Sequence, residues 1–176
     1  MTKTVLITGS TSGIGKGIAE GFAKLGYNIV FNGLETDGAD IAKQIADEHQ
    51  IAAIFSPANM LRPQELRNMV DEANARFGHI DILINNAGIQ FVAPIDQFPE
   101  AKWDAIIGVN LSAAFHLTKA VWPAMKENNF GRIINISSAH GLIASEYKSA
   151  YIASKHGING FTKAIALEGA PYNITC

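Results

Sequence analysis

The sequence predicts a doubly wound α/β fold built on a parallel sheet, and three observations carry that expectation. Apolar runs without polar alternation recur at residues 5–7, 29–31, 51–55, 80–84 and 133–136, as strands buried on both faces do. A stretch of helical periodicity separates each run from the next, which suits parallel strands joined by right-handed crossovers. The first run leads directly into Thr8-Gly9-Ser10-Thr11-Ser12-Gly13-Ile14-Gly15 and then a helical pattern. Glycines at 9, 13 and 15 permit positive φ and close backbone approach, and the helix start aims free N–H groups and a positive dipole end at one point. Such a turn suits an anionic group, above all a pyrophosphate.

In chain order, Ile14, Ile18, Phe22 and Leu25 form one helical stripe that closes at Gly26. The strand at 29–31 is followed by an amphipathic segment with Ile41, Ala42 and Ile45, then by the strand at 51–55. Pro63 suits a first helical position, and Leu66, Met69, Val70, Ala73 and Phe77 line the inner face of that helix up to Gly78. The strand at 80–84 opens into a loop at 85–99. A long helical pattern then carries Trp103, Ile106, Ile107, Leu111, Phe115, Thr118, Trp122 and Met125, with Pro123 as a candidate kink. The strand at 133–136 precedes a last helix from Ser149 to about Ala170, and Asn173-Ile174-Thr175 begins a sixth strand. The expectation is a Rossmann-type sheet in which residues 1–176 form a single domain, cut at the start of its sixth strand.

Composition narrows the partners. With 48% hydrophobic and 17% charged residues the chain can bury a sizeable core. A net charge of -2 without a Lys/Arg cluster argues against nucleic acid or a membrane surface. No run in the sequence approaches a membrane span, the glycine turn comes too early for a signal peptide, and Cys176 is the single cysteine. These features predict a cytoplasmic protein without disulfides or a multi-cysteine metal site.

In a doubly wound sheet the ligand lies beyond the carboxyl ends of the strands. Those positions are polar here: Asn32-Gly33-Leu34-Glu35, Asn59, Asn85-Asn86-Ala87-Gly88 and Ser137-Ser138. Tyr151 and Lys155 are spaced to share one face of a helix. A phenol with a pKa of about 10 is a poor acid or base at neutral pH, and a nearby ammonium favours the phenolate. The pair can then exchange a proton with a substrate oxygen, and Ser138, at the same edge, offers a hydroxyl to that oxygen.

The set TGSTSGIG, NNAG at 85–88, Asn110, Ser138 and YxxxK at 151–155 resembles the short-chain dehydrogenase/reductase family, in the same order and across essentially the whole chain. The resemblance implies Tyr151 as acid/base, Lys155 as its pKa partner and a holder of the nicotinamide ribose, and Ser138 as binder of the reacting oxygen. It further implies Asn110 as holder of a water in a proton relay, with Asn86, Ala87 and Gly88 against the cofactor. Asn59-Met60 stands where the family has Asp followed by an aliphatic residue at the adenine pocket. The family also implies a homo-oligomer, a tetramer.

The cofactor expected is NAD, since residues 32–37 offer the acidic Glu35 and Asp37 and no cation, and position 12 is serine. In this reading Gly9, Thr11, Ser12, Gly13, Ile14 and Gly15 hold the phosphates, Leu34 packs on the adenosine, and backbone or Asn groups meet the ribose hydroxyls. Gln90, His140 and Lys148 lie near Gly88, Ser138 and Tyr151 in sequence, and their donors suit one carboxylate beside the reacting carbon. Local matches around Gly88, Ser138 and Lys155 are similar to the branch of the family that oxidises small 3-hydroxy acids, so a small anionic hydroxy or keto acid is the expected substrate. Second in rank is an NADPH-dependent reductase of 3-oxoacyl thioesters. A third reading, prompted by the abrupt end, is a non-catalytic nucleotide-binding or assembly fragment.

Overall fold

A computed structural model describes residues 2–176. The elements run β1 (Thr4–Ile7), α1 (Gly13–Lys24), β2 (Asn28–Asn32), α2 (Gly38–His49), β3 (Ala53–Ser56), α3 (Pro63–Phe77) and β4 (Ile82–Asn85). After them come α4 (Glu100–Ile107), a π-helical turn (Gly108–Ser112), α5 (Ala113–Glu127), β5 (Gly131–Asn135), α6 (Ser149–Gly169) and β6 (Ile174–Thr175). The six strands are all parallel, in the order β3-β2-β1-β4-β5-β6. The chain winds outward from β1 to β3 and returns to place β4 on the other side of β1. That reversal opens the crevice in which a doubly wound sheet binds its ligand.

Alternate side chains build one core on each face of the sheet. Leu6, Val30, Leu83 and Ile133 meet Leu66 and Met69 of α3 and Leu117, Val121 and Met125 of α5. Val5, Ile7, Ile29, Phe31, Ile82 and Ile84 meet Ala19 and Ala23 of α1 and Ala42 and Ile45 of α2. Each fully buried aliphatic or Phe side chain contributes about 1.5–3 kcal/mol, so the central strands anchor the loops at their carboxyl ends.

Several expectations need correction. Ile14 and Leu25 are 70% and 73% exposed, and α1 instead buries Gly15, Ala19 and Ala23. Small side chains bring that helix close to the sheet, which leaves Ile14 free at the crevice. Ile51 belongs to the end of α2 rather than to a strand: Gln50 turns left-handed at φ 55° and the Ile51 N–H donates to the Ala46 carbonyl, so β3 begins at Ala53. The long helix runs on past Pro123, where Lys119 and Pro123 both face solvent, and its irregularity is the π turn at Gly108–Ser112. Trp103 and Phe115 are exposed rather than inward. The continuous helical stretch Glu100–Glu127 is also long and apolar enough to cross a membrane by length and composition, against the expectation that no run was. Of its apolar residues, Leu117, Val121 and Met125 cover the sheet, while Trp103 and Phe115 do not.

Candidate active site

The glycine turn is held open by side chains from neighbouring strands. Gly9 and Gly13 sit at φ 61° and 52°, where a Cβ is disfavoured. The Asn86 amide donates to the carbonyls of Thr8 and Gly9 at 2.9 and 3.1 Å, while Thr8 Oγ1 accepts from the backbone N–H groups of Asn86 and Ala87. A Cβ on Gly15 would stand 2.1 Å from the Gly9 carbonyl oxygen, so α1 and the turn meet through bare backbone. No side chain caps the start of α1, because the Ser12 hydroxyl donates to Glu35 instead. The first N–H groups of α1 therefore face the crevice, as an anion site requires.

Asn32 corrects one expectation. Its Oδ1 accepts from the Gly9 N–H, and its Nδ2 donates to the carbonyls of Ser56 and Ala58. The amide is buried and fully engaged as a tie between β1, β2 and β3, and is not free for ribose hydroxyls. Glu35 takes the prominent place: its carboxylate accepts from the hydroxyls of Thr11 and Ser12. The Thr11 hydrogen bond, above all, holds the Glu35 pKa below the ordinary carboxylate value.

A cleft of about 370 Å³ runs along this edge. Of the residues expected at the cofactor, Gly9, Ser12, Ile14, Gly15 and Leu34 line its first part, and Asn59, Met60, Asn86, Ala87 and Gly88 the rest. Thr11 and Gly13 stand in the turn without lining it, and Thr11 serves through Glu35. Asn59 is partly committed, since its Oδ1 accepts from the Leu61 N–H and its own N–H donates to Glu65. Ile89 and Val109 also line the cleft and were not singled out in the sequence; an apolar residue after a strand carries no mark of such a role. The open anion cradle, the long cleft and the apolar surfaces of Leu34, Met60 and Val109 fit a dinucleotide. The residues that would hold one are those of the glycine turn, Glu35 and Asn86 to Ile89.

Ser138, Tyr151 and Lys155 do not line that cleft; they occupy the continuation of the edge beyond Ile89. Asn110 joins the two parts. Its Oδ1 accepts from the Ile89 N–H at 2.8 Å, and its Nδ2 donates to the Ile89 carbonyl and to Ser154 Oγ at 3.0 and 3.1 Å. Ser154 Oγ donates in turn to the Tyr151 carbonyl. Asn110 is buried at the centre of the π turn, and its side chain braces the helix under Tyr151, with both amide hydrogens already used. Lys155 is also buried; its ammonium donates to the Ile136 carbonyl at 2.6 Å and lies 5.6 Å from the centroid of the Tyr151 ring. Burial holds the Lys155 pKa below the ordinary lysine value.

The three proposed substrate contacts differ in placement. The His140 ring packs edge-on against Tyr151 at 6.1 Å with its Nε2 paired with Ser145 Oγ, while the His140 backbone N–H donates to Ser138 Oγ. Lys148 is half-buried at the N-cap of α6, one turn before Tyr151. Gln90 is exposed in the loop after β4, which a bond from the Ala93 N–H to the Tyr147 carbonyl ties to the segment before α6. The loop of His140 and the N-cap Lys148 thus flank Tyr151, and the loop of Gln90 is tied to the segment just before α6.

A dinucleotide cleft running up to a Tyr/Lys pair and a serine hydroxyl defines a nicotinamide-dependent oxidoreductase site. The chain belongs to the short chain dehydrogenase family, whose model matches residues 3–176. It is 51% identical over 181 aligned positions to a D-beta-hydroxybutyrate dehydrogenase of Rhizobium meliloti, covering 99% of this chain and 69% of that protein. A protein of the same name from Cupriavidus necator is 53% identical, over 98% of this chain and 67% of its own length. Among solved structures, a gluconate 5-dehydrogenase from Burkholderia cenocepacia in complex with NADP and tartrate superposes with a TM-score of 0.91 at 38% identity, covering 98% of this chain and 68% of that one. This chain therefore spans about two thirds of the length of each of these relatives.

Proposed function

We propose that the protein is an NAD-dependent dehydrogenase that interconverts D-3-hydroxybutyrate and acetoacetate. The observation that carries the reading is the join that Asn110 makes between the dinucleotide-sized cleft and the helix of Tyr151 and Lys155, through Ile89 and Ser154; Gln90, His140 and Lys148, in the neighbouring loops, are the donors it assigns to the substrate carboxylate. The identity to the two D-beta-hydroxybutyrate dehydrogenases supports it. When bound, the nicotinamide supplies the hydride acceptor. Ser138 Oγ, which already accepts from the His140 N–H, keeps its own proton to donate to the substrate oxygen. Tyr151, with the Lys155 ammonium beside its ring, takes the hydroxyl proton at its Oη. Lys148 supplies the cation, and Gln90 and His140 the directed donors, for the substrate carboxylate. Asn110 acts through its bonds to Ile89 and Ser154, which fix the loop and helix that flank the reacting centre.

Support for NAD comes from Glu35. Its carboxylate sits on Thr11 and Ser12, where the 2′-phosphate of NADP would meet a negative charge rather than an arginine. Assembly as a homotetramer accords with the exposed Trp103 and Phe115 of the α4 to α5 stretch, and a cytoplasmic location with the single, unpaired Cys176. The test is a comparison of substrates: D-3-hydroxybutyrate with NAD should give acetoacetate and NADH faster than NADPH reduces an acetoacetyl thioester. The reverse preference would replace this reading with the thioester reductase.

A further inference from the structure

A line of oriented side chains runs from Thr162 through Asn135 to Asn85, across the ends of β5 and β4. Thr162 Oγ1 donates to the Ile158 carbonyl, so it must accept from Asn135, whose Nδ2 reaches it at 2.8 Å and also meets Cys176 Sγ at 3.3 Å. Asn135 therefore presents its Oδ1 to β4, and Asn85 must answer with Nδ2, at 2.8 Å. That sequence of bonds leaves Asn85 no choice of rotamer flip: its Oδ1 is turned away from Asn135. The oxygen is buried and has no hydrogen-bond partner among the described residues. A buried acceptor of this kind calls for a donor.

The donor is close by. Asn85 and Lys155 both line a cavity of about 10 Å³ between the ends of β4 and β5, the π turn, α5 and α6, about the room that one water occupies. Lys155 Nζ carries three hydrogens and gives one to the Ile136 carbonyl. The geometry points to Asn85 as a positioning residue for Lys155: a water in this cavity donates to Asn85 Oδ1 and accepts from Lys155 Nζ. The inference rests on the dehydrogenase reading for its catalytic meaning, not for its structural content. The bond stabilises the charged form of an ammonium whose burial favours the neutral one. Lys155 is the one titratable residue lining the cavity, and Tyr151, on its own helix, is the titratable group facing the ammonium. The charge that Asn85 sustains is thus the one that lies beside the Tyr151 ring.

Two measurements on the 176-residue protein test this without substrate. A crystal structure of the unaltered protein at high resolution should show a water within about 2.6–3.2 Å of both Asn85 Oδ1 and Lys155 Nζ; a water touching only one of them overturns the inference. In the second, the Lys155 side chain is titrated by the shift of its labelled Cε carbon, assigned by its loss in Lys155→Arg. Asn85→Leu should lower the Lys155 pKa by about one unit, a tenfold change in its protonation constant. Asn85→Asp, which keeps the acceptor and loses the donation to Asn135, should raise it. If Asn85 served the sheet alone, Asn85→Leu would break the bond to Asn135 and leave the Lys155 pKa where it was, which refutes the proposal. Should Asn85→Leu fail to fold, the bound water decides. Loss of 3-hydroxybutyrate turnover as a finding would remove the dehydrogenase reading and leave these results standing.

Discussion

Gly15→Ala is the substitution with the most directly derivable consequence. The added methyl would sit 2.1 Å from the Gly9 carbonyl oxygen and 2.6 Å from Asn86 Nδ2. Ordinary contact begins above 3 Å, so the turn and the start of α1 must separate by about 1 Å. Neither side yields freely, because Gly9 is bonded to Asn32 and Asn86, and α1 packs on the sheet through Ala19 and Ala23. Overpacking of this kind costs about 1–3 kcal/mol, and at about 2–4 °C per kcal/mol for a chain of this size the melting temperature should fall by roughly 2–12 °C. Cofactor affinity should fall further than stability does, since the displaced atoms form the anion cradle. Two companions calibrate the result. Gly17→Ala meets nothing within 4 Å and lies inside α1, so it should raise stability by up to about 1 kcal/mol. Gly13→Ala also meets nothing but is held at φ 52°, which predicts a loss of about 1–2 kcal/mol from backbone strain alone. Thermal unfolding with and without NADH reads all three. Unchanged melting and cofactor affinity for Gly15→Ala would refute the close approach of turn and helix.

The remaining predictions follow from the charges at the site. Glu35→Gln should improve kcat/KM with NADP relative to NAD by roughly five- to tenfold, because it removes one negative charge beside the 2′-phosphate; an unaltered ratio in steady-state kinetics would dismiss Glu35 as the discriminator. Lys155, with its folded pKa held down by burial, binds fewer protons folded than unfolded between that lowered value and the ordinary lysine pKa of about 10.4. Stability should therefore rise with pH across that window, and the rise should vanish in Lys155→Met, as urea unfolding at stepped pH would show. Lys148→Ala and Gln90→Ala should raise KM for 3-hydroxybutyrate far more than for a neutral alcohol of similar size, and equal effects on both would end the carboxylate assignment.

Much of the fold could be read from the residues because buried parallel strands and glycine turns leave local marks. The runs around Leu6, Val30, Leu83 and Ile133 and the helix from Pro63 to Phe77 appear where periodicity placed them. The misplacements share one cause, that tertiary contacts chose among locally acceptable faces. In α1, Ala19 and Ala23 took the sheet from Ile14 and Leu25. In the long helix, Asn110, tied to Ile89 and Ser154, occupies the π turn, and Pro123 at the solvent side is tolerated. The glycine turn, Tyr151 and Lys155 were legible because their chemistry needs particular residue types at fixed spacing. The engagement of Asn32 with Gly9, Ser56 and Ala58, and the hold of Thr11 and Ser12 on Glu35, were not, since both link residues more than twenty positions apart.

In the proposed reaction Tyr151 is the group that moves the proton. Tyr151→Phe keeps the ring that packs against His140 and beside Lys155 and removes only the phenolic hydroxyl that carries the transferable proton. Measured with D-3-hydroxybutyrate and NAD, kcat should fall by about 10²-fold or more, while the dissociation constant for NADH stays within about twofold of the unaltered protein. A variant that kept a tenth of the original turnover, or that lost turnover only in proportion to lost NADH affinity, would contradict the assignment.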